Sequence, residues 1–235
     1  MMNCGFRTAA APAMLPVECQ HEALCYELYA ALIEGTPIAR RDVLELGSGR
    51  GGGARYIHRV HQPRRLVALD YAEGIVRWCR TNFSAPGLEF VRGDALSPHF
   101  ADESFDVIVA VELTHCIFDK PRFLANAARL LRPGGRLLVA DFFYRNPASR
   151  HALPLFEEAV ARSGFVVMAA DDWTHGVVAA IEQDSDRRIS EIGGSVPPFL
   201  QKIATSFSST TASSTYRGLR EGRTAYRRYV LEKGI

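Results

Sequence analysis

The sequence predicts a doubly wound α/β fold: a mostly parallel, seven-stranded sheet flanked by helices, with a helical insertion before the last strand. Three observations carry this. Seven strand-sized runs punctuate the 235 residues, at 42–47, 65–70, 88–94, 105–112, 135–143, 164–171 and 224–233. The first six are apolar on nearly every residue, as strands covered on both faces are. Helix-like segments alternate with them, which implies right-handed crossovers between parallel strands.

The elements follow in order. Residues 18–34 form a leading helix with Leu24, Leu28, Ala31 and Leu32 inward. DVLEL leads into a glycine-rich turn, GSGRGGG, and then a helix. After RLVALD, the segment AEGIVRWCRTNF puts Ile75, Val76, Trp78, Cys79 and Phe83 on one face. KPRFLANAARLL has Pro121 in its first turn and stops at Arg132-Pro133-Gly134-Gly135, a helix terminator. Residues 172–222 break the rhythm. They read as two short amphipathic helices and a Ser/Thr-rich loop, before TAYRRYVLEK returns to the sheet. The chain therefore reads as one domain: a helical cover (1–40), a core (41–171), an insertion (172–222) and a last strand (223–235).

Composition excludes several classes. Net charge is +2, and no apolar run approaches the roughly 20 residues of a membrane span. The first residues contain Arg7, Pro12 and Pro16 and no continuous apolar core, so no secretory leader is expected. Five cysteines (Cys4, Cys19, Cys25, Cys79, Cys116) are odd in number and lack metal spacing. Free thiols in a cytoplasmic protein without a metal are the expectation. Six basic residues between Arg217 and Lys233 lack the aromatic pattern of a nucleic-acid motif, so no nucleic-acid partner is expected. A homodimer is compatible with this composition.

The site is expected where strands end. Gly47 and Gly49 follow the first strand and let a ligand touch backbone. Asp70 ends the second strand, 21 residues after Gly49, where an acid suits ribose hydroxyls. Asp94 ends the third and could accept from an exocyclic amine. With Glu45, three acids line adjacent strand ends. They would repel a pyrophosphate, and GSGRGG lacks the usual third-glycine spacing, so a dehydrogenase is disfavoured. A cationic nucleoside, S-adenosylmethionine, fits.

The motifs VLELGSGRGGG, VALD, VRGDAL, FDVIVAVE and LLRPGGRLLVAD resemble those of class I S-adenosylmethionine-dependent methyltransferases, over nearly the whole chain. VELTHCIFDKPRFL, DDWTHGVVAAI and the tail STYRGLREGRTAYRRYVLEKG resemble small-molecule O-methyltransferases of the phthiotriolone and polyketide type. NCGF resembles that group's Asn-x-Gly-aromatic start, with Cys4 and Phe6 where tyrosines are usual. The resemblance implies a Rossmann-like fold. It implies that Glu45, Gly47, Ser48, Gly49, Asp70, Tyr71, Asp94, Ala95 and Val111 surround the cofactor. Glu45 would order the loop and bind the ammonium, directly or through water, and S-adenosylhomocysteine would be the product.

On the acceptor side, His115 lies just past the fourth strand, and an imidazole is near the right pKa to act as base. The alternatives are contact with a ligand and a packing role. Asp141, at the end of the fifth strand, could orient His115, or order its own loop. Glu112 could shape the neighbouring loop. His175, Trp173 and Phe199 of the insertion are candidate acceptor contacts. Its apolar residues would wall a pocket for a hydrophobic acceptor. His21, His58, His61, His99 and His151 receive no role. Transfer to a hydroxyl is the first reading. N- or C-methylation, or binding of the cofactor without transfer, are the alternatives.

Overall fold

The computed structural model describes residues 3–7 and 22–234. The leading-helix residues 18–21, Cys19, His21 and Ile235 lie outside the described residues. Seven strands form one sheet: β1 (Asp42–Leu46), β2 (Arg65–Asp70), β3 (Leu88–Arg92), β4 (Phe105–Val111), β5 (Leu131–Tyr144), β6 (Phe165–Asp172) and β7 (Thr224–Lys233). Their order is β3-β2-β1-β4-β5-β7-β6. The first five pair in parallel, and β7 runs antiparallel between β5 and β6.

Among the described residues, eight helices accompany the strands: α1 (Ala23–Ile33), α2 (Gly52–His61), α3 (Glu73–Asn82), α4 (Lys120–Leu130), α5 (Leu153–Arg162), α6 (Thr174–Ser195), α7 (Pro198–Phe207) and α8 (Ser214–Arg220). Side chains alternate across a strand, so each strand feeds two cores. Val43 joins a core with α1, α2, α3 and the first half of α6. Leu44 and Leu46 join a second core with α4 and α5.

Local chemistry explains the joints. Pro121 sits in the first turn of α4, and the Asp119 side chain caps it by accepting from Arg122 N. The Pro-Gly-Gly turn lies within β5 as an irregularity: Leu131 pairs with Phe105, and the register resumes at Arg136 opposite Val107. A Cβ on Gly135 would stand 2.8 Å from Arg132 O and 2.9 Å from Asp106 O, so the close approach requires glycine.

The insertion departs from expectation. Its first part is one 22-residue helix, α6, rather than a short one. The Ser/Thr-rich piece contains α8, whose N-cap Ser213 accepts from Tyr216 N. A capping serine starts a helix where composition alone suggests a loop. Trp78 is 41% exposed rather than inward, beneath the Arg50 guanidinium. Several basic residues of the tail pair with acids, among them Arg228 with Asp171 at 2.8 Å and Lys233 with Glu103 at 3.2 Å.

Candidate active site

Strand order reverses between β1 and β4, and their carboxyl ends open onto a cavity of about 630 Å³. Such switch points hold ligands in open α/β sheets. The glycine loop forms one wall. Gly47, Gly49 and Gly51 have φ of 71°, 50° and 72°, a region that side chains resist. The loop is tied to β2: Gly47 N and Ser48 N donate to Leu69 O at 2.8 and 3.0 Å. Gly49 N donates to Asp70 Oδ2 at 2.8 Å, and Ala72 N donates to Asp70 Oδ1 at 2.9 Å. A carboxylate offers roughly four acceptor positions. Asp70 therefore holds the loop and keeps lone pairs facing the cavity it lines. Ser48 Oγ, on the same wall, is buried without a hydrogen-bond partner among the described residues.

Glu45 sits one layer back, behind Tyr29 and Gly53, which both line the cavity. Tyr29 OH donates to Glu45 Oε1 at 2.7 Å. A Cβ on Gly53 would stand 2.2 Å from Tyr29 OH and 2.4 Å from Glu45 Oε1. Glu45 Oε2 has no hydrogen-bond partner among the described residues. Burial pushes the carboxyl up to about 7, and Asp70 adds to the shift.

The opposite wall carries His115, on a single 3-10 turn (Thr114–Cys116) after β4. Asp141, fully buried in the C-terminal part of β5, receives four donors there. They are Thr114 Oγ1 at 2.7 Å, His115 N at 3.0 Å, Phe142 N at 2.8 Å and His115 Nδ1 at 3.1 Å. An acceptor carboxylate at Nδ1 assigns the proton to that nitrogen and leaves the Nε2 lone pair free. Burial draws the His115 pKa down, but the Asp141 carboxylate outweighs it and the net shift is upward. The ring stacks on Phe142 with centroids 4.5 Å apart. His151, given no role by its sequence position, stands edge-on to His115 at 6.1 Å. Burial lowers its pKa to about 4, so it stays neutral.

A third wall comes from far away in sequence. Asn3 and Cys4 line the cavity, as do Ser206, Ser208, Ser209, Ser214 and Thr215. Cys4 N donates to Glu112 Oε1 at 2.7 Å, and Tyr226 OH donates to the same oxygen at 3.0 Å. Glu112 has a φ of 48°, unusual for a residue with a side chain.

Of the residues singled out in the sequence, Gly47, Ser48, Gly49, Asp70, Val111 and His115 meet at this cavity, with Asp141 directly behind His115. Asp94 and Ala95, which follow β3, are not among the residues lining the cavity. Asp94 is exposed and accepts from Leu96 N, whereas Ala95 is buried in the second core. Tyr71 is 73% exposed. The structure does not bring His175, Trp173 or Phe199 to the cavity. His175 is exposed, Trp173 stacks on Phe6 at 4.2 Å, and Phe199 is 79% exposed. Among the described side chains, none of the insertion's apolar residues lines the cavity. Val177, Val178 and Ile181 are consumed by the first core, Ile203 is turned outward, and hydroxyl side chains face inward instead. Tyr29, Asn3 and the serines left no local signal, because their proximity to the loop is created by the fold. Among the described residues, no group of three His, Cys, Asp or Glu could hold a metal ion, and no helix is long and apolar enough to cross a membrane.

Fold, glycine loop and acid-bearing cavity together define an S-adenosylmethionine-dependent methyltransferase, and the chain belongs to that family. The family described as methyltransferase domain matches residues 44–139. Similarity to individual members extends further. The chain is 32% identical over 224 residues to the phthiotriol/phenolphthiotriol dimycocerosates methyltransferase of Mycobacterium leprae, covering 94% of this chain and 81% of that one. It is 32% identical over 207 residues to the fatty-acid O-methyltransferase of Mycolicibacterium smegmatis, covering 88% of this chain and 73% of that one. The fold matches geranyl diphosphate C-methyltransferase from Streptomyces coelicolor, solved with Mg2+, geranyl diphosphate and S-adenosylhomocysteine. The TM-score is 0.73 at 15% identity, over 99% of this chain and 91% of that one.

The residues fit the cofactor. The orphaned Ser48 hydroxyl and the Asp70 lone pairs offer a donor and acceptors to a nucleoside, and the loop glycines leave backbone accessible. Glu45 adds buried negative charge potential beside a cationic ligand.

Proposed function

We propose that the chain transfers a methyl group to a hydroxyl or carboxyl oxygen of a hydrophobic small molecule, a polyketide, lipid or similar metabolite, with His115 as general base. When bound, S-adenosylmethionine supplies the sulfonium-activated methyl group. Asp70 holds the ribose hydroxyls, Gly47, Ser48 and Gly49 admit the methionine end, and Glu45 supports it through the loop or through water. His115 Nε2 receives the acceptor's proton, and Asp141 keeps Nδ1 protonated throughout.

The observation that carries this reading is the His115–Asp141 pair on the cavity wall. A positioned base is useful for an acceptor that must lose a proton, and is typically worth about 10²–10⁴-fold. The name of the fatty-acid O-methyltransferase supports an oxygen acceptor on a lipid.

The test is a panel of long-chain alcohols, phenolic polyketides, fatty acids and amines incubated with labelled S-adenosylmethionine. Expected is S-adenosylhomocysteine together with a methyl ether or ester. A product methylated on nitrogen or carbon would replace the oxygen assignment. Binding of S-adenosylmethionine with no S-adenosylhomocysteine from any acceptor would favour a protein that binds the cofactor without transfer.

A further inference from the structure

The turn that carries His115 is held from two sides. On one side is the buried Asp141 carboxylate, already described. On the other is Lys120, a lysine only 3% exposed. Its ammonium folds back beneath the turn and donates to Thr114 O at 2.5 Å and to Ile117 O. These two carbonyls bracket His115 and Cys116. Lys120 itself is fixed as the first residue of α4, directly after the Asp119 cap.

A buried ammonium is expensive unless it is paired and hydrogen-bonded. An apolar residue at the start of α4 would fill the same space without that cost. The position nevertheless carries an ammonium, its pKa drawn down by burial to about 8, and it serves a turn that presents His115 and Cys116 to the cavity.

We propose that Lys120 is a positioning residue for methyl transfer, an ammonium clamp that fixes His115 against Asp141 and keeps its Nε2 aimed into the cavity. The proposal rests on the reading of His115 as the base.

The electrostatics agree with the geometry. The charged groups facing His115 are Asp141 from β5, Glu112 from the end of β4, Lys120 from α4, with neutral His151 from the segment before α5. Asp141 and Glu112 favour the imidazolium; Lys120 opposes it. Lys120 is the smallest of these influences, and it works against the upward shift that the carboxylates impose.

The experiment is nitrogen-15 imidazole NMR of the full chain labelled at histidine, with S-adenosylhomocysteine bound, across pH 5–9. His115→Gln identifies the His115 signals. In the unaltered protein, His115 is expected as the Nδ1-protonated tautomer. In Lys120→Met, the midpoint should rise by at least about half a pH unit, as loss of a nearby like charge requires. The tautomer ratio should also approach even. Lys120→Arg, which keeps the charge, should leave the midpoint within about 0.2 unit. An unmoved midpoint and tautomer in a Lys120→Met protein that still binds S-adenosylhomocysteine overturns the clamp. If Lys120→Met does not fold, Lys120→Arg decides. A midpoint shifted despite retained charge overturns it, and an unshifted one supports it. Failure of the base reading is separate: it appears as undiminished turnover in His115→Gln, whatever the NMR shows for Lys120.

Discussion

At the scale of single residues, three side chains make opposed demands that can be measured separately. Asp70→Ala removes the loop tether and the proposed ribose acceptor together. Calorimetry should show S-adenosylmethionine affinity weakened more than about tenfold, roughly 1.4 kcal/mol. His115→Ala removes the proposed proton acceptor but no contact of the glycine loop. Turnover should fall about 10²–10⁴-fold, while S-adenosylhomocysteine affinity stays within about a factor of two. Glu45 has a pH signature. Its folded carboxyl titrates near 7, raised by burial. The folded state thus binds a proton more readily than the unfolded chain does. The resulting stability is present below the ordinary carboxylate range and is lost as pH rises through about 7. The span is on the order of 3 kcal/mol. Thermal melts of the ligand-free protein at pH 5 and pH 8 should show Glu45→Gln losing less stability than the parent. Glu112 shifts in the same direction, so only the difference between variant and parent isolates Glu45. These residues were also the most legible. Asp70 and the loop glycines announce themselves by spacing, and His115 by its place after a strand. His151 did not, because its contact with His115 depends on how the chain returns after β5.

At the scale of elements, the strands were readable because each is a short run buried on both faces. α4 was readable because proline and glycine bound it. The insertion was not, since an amphipathic pattern says which side of a helix is apolar but not what it packs against. The segment Asn3–Phe6 is the clearest case of an element defined by its partners. Phe6 N donates to Leu24 O at 2.9 Å and Arg7 N to Gly176 O at 3.1 Å, while the Phe6 ring lies on Trp173. A Cβ on Gly176 would come within 2.2 Å of Phe6 Cε2 and 2.9 Å of Arg7 O. Gly176→Ala should therefore dislodge this segment while leaving the sheet intact. The expected readout is an unchanged far-ultraviolet spectrum with several-fold weaker S-adenosylhomocysteine binding. Unchanged affinity would mean that the segment contributes no wall in solution.

At the scale of the whole molecule, the cavity gathers residues from both cores and from nearly the full length of the described chain. Ligand binding should therefore act globally. At one hundred times its dissociation constant, S-adenosylhomocysteine should stabilise the fold by about 2.7 kcal/mol. Hydrogen exchange should slow at residues 3–6 and 206–215 as well as at 47–53. Protection confined to the glycine loop would count against a closed cavity. The doubly wound order was legible from rhythm alone. The antiparallel placement of β7 between β5 and β6 was not, because a strand's direction leaves no mark on its own residues.

The contacts that close the cavity also set a timetable for its assembly. Cys4 meets Glu112 across 108 positions, Asn3 meets Arg188 across 185, and Cys4 meets Ser209 across 205. Synthesis proceeds from the first residue onward, so the segment that seals the site is made before any of these anchors exists. A nascent chain halted after β4 already holds the glycine loop and Asp70, yet its Asn3–Phe6 segment has neither Arg188 nor Ser209 to grip. Closure of this wall is thus deferred until residues 188 and 209 have been made, long after the glycine loop and Asp70.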